Sequence, residues 1–254
     1  MSALDLLAPD RRGLFINGQW REAAGGKRFQ VKDPADGSVI TDVADGDPED
    51  ALAALDAAVA VQSDWAKTAP RERGEILRKA FELLTARADD FAELMSLEMG
   101  KTIAEARGEL TYGAEFFRWF SEEAVRIQGR WLQAPGGGSR LLTIRKPAGL
   151  ACSCCRNFPA RHGHPRKMGP AIAAGCTMVV KPAGLTLLTT LALAGLMQEA
   201  GLFLTASSTS SPPITRPRCP RRSWPTSGCA RSASPGRRRS ARCWCASPPA
   251  SSSG

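Results

Sequence analysis

Residues 166–201, RKMGPAIAAGCTMVVKPAGLTLLTTLALAGLMQEAG, constrain the fold more than any other stretch. The spacing predicts a short helix from Arg166 to Ala174, with Gly175 placed to end it in a left-handed conformation. Cys176 to Val180 is short, apolar and partly β-branched, which predicts a buried strand. Lys181-Pro182 stops that strand, because proline cannot donate to the ladder. Thr186 is placed to cap a second helix that runs through Leu187, Leu191 and Met197 and ends at Gly201. That helix is apolar nearly all round and so belongs between layers. The expected fold class is α/β, a Rossmann-type parallel sheet with helices on both faces. Ligands of such sheets bind beyond the carboxyl ends of the strands, and Lys181 leaves its strand at that end. A solvated lysine at a strand end is the alternative reading.

Upstream, Asn17-Gly18 between Leu14-Phe15-Ile16 and Gln19-Trp20 predicts a hairpin with a type I′ turn. Asp33-Pro34-Ala35-Asp36-Gly37 is a second turn, and together they suggest a small antiparallel sheet. Asp47-Pro48-Glu49-Asp50 opens a helix with a cap, a proline and acids at its positive end, and Leu52, Leu55 and Val59 share one face. A second helix follows Pro70, with Ile76, Leu77, Ala80, Phe81 and Leu84 at helical spacing. Asp89-Asp90 restarts or continues it to Met99, and Gly100 ends it. A third carries Ile103, Leu110, Phe117 and Ala124 inward, and Phe116, Phe117, Trp119 and Phe120 read as core. Trp131 to Ala134 and Arg140 to Arg145 are strand-like around Pro135-Gly136-Gly137-Gly138-Ser139, so 131–147 reads as a long hairpin.

These motifs carry a resemblance. "FINGQW" at 15–20, "EMGKTIAEARGE" at 98–109, "NFP" at 157–159 and "RKMGPAIAAGCTMVVKPA" at 166–183 resemble, in that order, the NAD(P)-dependent aldehyde dehydrogenase superfamily, and within it the bacterial succinate-semialdehyde dehydrogenases. The resemblance covers about residues 14–202 and implies part of a cofactor domain, with residues beyond 203 outside it. It implies oxidation of an aldehyde to an acid, succinate semialdehyde being the substrate of that subgroup, with NADP or NAD as cofactor. A cysteine thiolate attacks the carbonyl, hydride passes to the nicotinamide, and a glutamate activates the water that follows. It also implies that the hairpin at 131–147 pairs with a second subunit in an oligomer; a surface hairpin with no partner is the alternative reading.

By the same resemblance, Asn157 stands where a side-chain amide stabilises the oxyanion, as a neutral fixed donor can; by its residues alone it reads as a turn asparagine before Phe158-Pro159. Lys181, Pro182 and Ala183 match the segment whose lysine reaches the adenosine ribose. Gly184 stands where NAD-preferring members carry a glutamate, and its lack of charge removes a repulsion against a 2′-phosphate, which makes NADP as acceptable as NAD. Arg166 matches an arginine that meets substrate and cofactor anions, and a guanidinium pairs a carboxylate bidentately. A solvated arginine at a helix start is its other reading. No cysteine matches the nucleophile, and the Glu-Leu-Gly-Gly and Gly-Ser-Thr-x-x-Gly segments are missing, so this chain is expected to be inactive. Cys176 reads as a small buried residue.

Charge bears on partners. The formal net charge is +9, from 34 basic and 25 acidic residues. Residues 203–254 hold nine arginines, thirteen serines and eight prolines with no acid or lysine, so residues 1–202 are neutral. A nucleic-acid surface on the domain finds no support. The tail composition predicts disorder, and an arginine–serine tail that neutralises phosphates is the alternative function class. No apolar run reaches the ~20 residues of a membrane helix and no signal sequence opens the chain, which reads as cytoplasmic. The eight cysteines then read as free thiols. Cys152, Cys154, Cys155, His162 and His164 superficially invite zinc, but their spacing is not that of a finger, and no metal is expected.

A shifted reading frame is the expected common explanation of the broken segment and the tail, with a genuine tail sequence as the alternative. Here the buried strand expected before Asn157 is replaced by Cys152-Ser153-Cys154-Cys155-Arg156. One permitted codon set for Ala230 to Ala241, read two bases on, spells Pro-Leu-Ser-Phe-Thr-Gly-Ser-Thr-Pro-Val-Gly, the missing phosphate segment. One for Arg161 to Arg166, read one base on, spells Ala-Met-Ala-Thr-Arg, the family's usual run there.

Overall fold

The computed structural model describes residues 3–154 and 164–202, together with the short strands at 205–206 and 229–230. After two 3-10 turns at Ala3–Leu7 and Pro9–Arg12 come strands β1 (Leu14–Ile16), β2 (Gln19–Arg21), β3 (Arg28–Lys32) and β4 (Val39–Ala44). Helices α1 (Pro48–Lys67), α2 (Pro70–Ala86), α3 (Ala88–Met99) and α4 (Ile103–Glu123) follow. The chain continues with β5 (Arg130–Gln133), β6 (Arg140–Thr143), β7 (Leu150–Cys154), α5 (His164–Ala173), β8 (Met178–Lys181), α6 (Leu188–Glu199), β9 (Thr205–Ala206) and β10 (Cys229–Ala230).

The main sheet has the order β10-β7-β8-β9-β1-β2. β10, β7, β8 and β9 are parallel, while β1 and β2 add antiparallel at one side. Period-2 alternation divides its core. Leu14, Ile16, Leu150 and Val179 pack with Ala54 and Ala58 of α1, whereas Phe15, Met178 and Val180 belong to the larger cluster with α2 to α6. α1 therefore covers one face, and α5 and α6 cover the other with α2, α3 and α4 behind them. α6 is apolar all round because its residues share one cluster with Phe15, Met178 and Val180 of the sheet while it packs on α2 and α3, as its sequence predicts.

Local signals account for the ends of several elements. Asp47 and Asp50 form a reciprocal capping box at the start of α1. Gly100 stops α3 at a φ of 69°. Gly175, at a φ of 79°, closes α5, with the Cys176 amide donating to the Ala171 carbonyl in the six-to-one bond of a Schellman cap. Asn17 and Gly18 take φ values of 54° and 76°, as the hairpin turn requires.

Five expectations need correction. The two amino-terminal turns do not build one small sheet: β1 is buried along its length and joins the main sheet, and only β3 and β4 form a separate ribbon. Leu14-Phe15-Ile16 is apolar on both faces, which suits a strand covered on both sides. Next, Leu52 and Val59 are about 40% and 41% exposed while the half-buried Leu55 packs against the sheet cluster, and Ala54 and Ala58 face the sheet, because small residues let α1 approach it closely. On α4, Ile103 sits in the first, weakly covered turn at 39% exposure, and Trp119 is 58% exposed beside the fully buried Phe117. The strand expected to be lost at Cys152 is present: Ala151 to Cys154 pair with Met178 to Lys181, since a ladder needs only main-chain groups. Last, α6 starts after Leu187 with no side-chain cap of its own, so Thr186 does not cap it.

The hairpin at 131–147 is present as β5 paired with β6, Trp131 opposite Leu142. Both strands are exposed throughout. Most of 203–254, for which disorder is expected, lies outside the described residues.

Candidate cofactor crevice

From β7 the chain steps outward to β8 and then β9, whereas β10 lies on the other side of β7, so the strand order reverses between β7 and β10. A reversal of this kind opens a crevice at the carboxyl ends of the strands, the position where open α/β sheets take ligands. Cys154 ends β7 opposite Lys181, which ends β8. Lys181 is half-buried and its Nζ donates to the Pro182 carbonyl at 3.3 Å. Pro182 is buried, Ala183 half-buried and Gly184 exposed, and the Thr186 amide donates back to the Ala183 carbonyl at 3.2 Å, which closes the turn. No carboxylate stands within 182–187, so nothing on this connection repels a phosphate.

Arg166 lies in the first turn of α5, which follows β7, so it stands at the same end of the sheet as Lys181. Its guanidinium carbon is 6.0 Å from the centre of the Phe116 ring of α4. The group is exposed, and among the described residues no ion pair holds it. His164, one residue into α5, is buried, and burial aided by Lys167 pushes its imidazole down to about 3, which keeps it neutral. Asn157 lies outside the described residues, as do Cys155 and His162 of the cysteine–histidine cluster. Cys176 is a buried thiol at the turn into β8. The open cleft of about 430 Å³ at the root of the hairpin, lined by Arg126, Arg130 and Arg145, shares no residue with this crevice.

Two polar side chains to which the sequence patterns assign no role fix the approach to β8 and the start of α6. Gln62 of α1 donates to the Gly175 carbonyl at 2.9 Å and accepts from the Thr177 amide and hydroxyl at 2.8 Å each, which fixes the approach to β8. Glu98 of α3 is fully buried and accepts from the Leu188 amide and from the Thr189 amide and hydroxyl, at 3.1 and 2.8 Å for Thr189. It thus caps α6 from another helix. A signal for it exists. Phe91, Leu94, Met95 and Glu98 fall on one helical stripe, and an acid on the apolar stripe in a helix's last turn requires a partner.

The fold and the crevice define an α/β domain with a parallel sheet, helices on both faces and a reversal of strand order at the carboxyl ends of its strands. The chain belongs to the aldehyde dehydrogenase family, whose family model matches residues 20–203. It is 56% identical over 165 residues to the succinate-semialdehyde dehydrogenase of Paenarthrobacter nicotinovorans, a match that covers 65% of this chain and 36% of that protein. It is 42% identical over 193 residues to the NADP(+) succinate-semialdehyde dehydrogenase of Escherichia coli K12, covering 76% of this chain and 40% of that one. The crystal structure of an aldehyde dehydrogenase from Brucella melitensis biovar abortus 2308 superposes with a TM-score of 0.76 at 45% identity, over 81% of this chain and 42% of that one. The chain therefore spans about two fifths of the length of its relatives. Among the described residues no helix is long and apolar enough to cross a membrane.

Proposed function

We propose that residues 1–202 are part of the cofactor domain of an NAD(P)-dependent enzyme that oxidises an aldehyde to a carboxylic acid, with succinate semialdehyde as substrate. The observation that carries this reading is the family match over 20–203, with Lys181 at the carboxyl end of β8 beside the reversal of strand order. The residues present fit a dinucleotide: Lys181 offers an ammonium to the adenosine ribose or its 2′-phosphate, and the uncharged Gly184 leaves room for either cofactor. When bound, the nicotinamide supplies the hydride acceptor. Arg166 offers its exposed guanidinium to the carboxylate of the substrate, and Phe116 beneath it limits the directions it can take.

The chain itself is proposed to be inactive, because no segment of it matches the family's nucleophile, base or phosphate turn. The exposed ribbon of β5 and β6 is proposed to pair with a second copy, as Trp131, Leu142 and Ile144 present apolar surface there. Purified protein with succinate semialdehyde and NADP or NAD tests the first claim: no NAD(P)H is expected, and its formation refutes inactivity. Binding of 2′,5′-ADP tests the cofactor site. Lys181→Ala is expected to weaken it by roughly tenfold, and failure of the unaltered chain to bind overturns the reading for this chain. Sedimentation tests the ribbon: Leu142→Glu is expected to leave a monomer where the unaltered chain associates, and a monomer in both refutes it.

A further inference from the structure

α3 and α6 lie side by side in opposite directions and are tied at both ends. At one end Arg87, which precedes α3, meets Glu199, the last residue of α6. At the other, Glu98 of the last turn of α3 meets the first two residues of α6. The first amides of any helix lack partners within it, and the residue before α6, Leu187, has no side chain able to supply one. The carboxyl of Glu98 takes that place, with one oxygen for Leu188 and the other for the amide and hydroxyl of Thr189. We infer that Glu98 is a positioning residue for the connection 182–187: it sets where α6 begins, and α6 sets how the chain returns from Lys181. The claim about the crevice rests on the cofactor reading above; the tie between the two helices does not.

The tie responds to protons in a way a plain packing contact does not. Burial pushes the carboxyl of Glu98 up to about 7, against hydrogen bonds from Thr189, Leu188 and Leu187 that draw it down. The charged groups on the elements packed against α3 are Asp5 of the first turn, the acids and bases of α2, Lys101 and the charged residues of α4 including Glu109, and Glu199 of α6. α3 itself adds Asp89, Asp90 and Glu93. The closed junction therefore holds a proton that the water-exposed carboxyl releases near 4.5. The junction is tightest below that value, and its opening is favoured as pH rises through about 7.

Native-state amide exchange on the full chain tests this. Protection factors at Leu188, Thr189 and 183–187, corrected for intrinsic rates, are expected to fall roughly tenfold or more between about pH 5.5 and about pH 8.5. Glu98→Gln is expected to show lower protection at acid pH and no pH step. Thr189→Val keeps the amide and shape and removes one hydrogen bond to the carboxylate, so its step is expected at higher pH. That variant and the unaltered chain decide the matter if Glu98→Gln does not fold. A flat profile in the unaltered chain overturns the inference. Binding of 2′,5′-ADP separates the two readings. Equal binding by the unaltered chain and Glu98→Gln overturns the positioning role and leaves the cofactor site standing. No binding by the unaltered chain overturns the cofactor site, while the exchange profile still decides the tie.

Discussion

The guanidinium of Arg87 lies 2.6 Å from one carboxylate oxygen of Glu199, and Arg11 lies 3.1 Å from the other. One acid at the end of α6 thus holds the α2–α3 junction and the amino-terminal segment together. Beside it, the Gln198 side chain accepts from the Trp20 indole at 3.1 Å and donates to the Gly18 carbonyl at 3.2 Å, which adds the β1–β2 hairpin to the same cluster. Arg87 first, then Arg11, holds the Glu199 carboxyl below its ordinary range.

Glu199→Ala is expected to destabilise the protein by about 1–2 kcal/mol at neutral pH, since the groups are partly buried and charge-assisted. The contribution of Glu199 is present above its ordinary value of 4.5 and is lost as pH falls through the lowered folded value. Denaturant midpoints of the two proteins should therefore converge as the pH is taken below the ordinary carboxylate range. A gap that persists in acid contradicts this.

Gly74→Ala is expected to cost about 1–3 kcal/mol although alanine favours helix. A Cβ at Gly74 would stand 2.6 Å from the Ser121 carbonyl oxygen, where α2 crosses α4. Gly108→Ala on α4, where nothing lies within 4 Å, is the control and should gain about 0.5–1 kcal/mol. Thermal unfolding of both variants checks the pair.

Phe117→Ala and Trp119→Ala are expected to diverge. Phe117 is fully buried, so its loss should cost about 3–5 kcal/mol. Trp119, mostly exposed, should cost under about 1 kcal/mol. Similar unfolding midpoints for the two variants contradict the placement of α4.

The nucleotide sequence is expected to restore a continuous frame when one or two bases are added or removed near codons 152 and 203, with Gly-Ser-Thr and a later Gly-Gln-x-Cys in it. Cys229–Ala230 adds parallel to β7 on the side away from β8, at the start of the run that spells the phosphate turn in the shifted frame, which supports this reading. Sequencing that yields no such frame refutes it.

Local grammar is legible in the amino-acid sequence. The strand at 178–181, the helices on either side of it, Gly175 as a left-handed stop and Asn17-Gly18 as a hairpin turn follow from short-range sterics and hydrogen bonding, which neighbours a few residues apart decide. Lys181 at a strand's carboxyl end is legible for the same reason. The inward face of α1, the place of β1 in the main sheet and the source of the α6 cap are not, because each depends on what another part of the chain brings near. Alanine faces the sheet on α1 because the strands approach closely, and Leu14-Phe15-Ile16 is a central strand because Ala206 lies beside Phe15. Thr186 has the right chemistry and spacing to cap α6, yet Glu98, ninety residues before Leu188, takes that role. Propensity ranks the residues that could satisfy a helix end, and tertiary packing decides which carboxyl is buried against it.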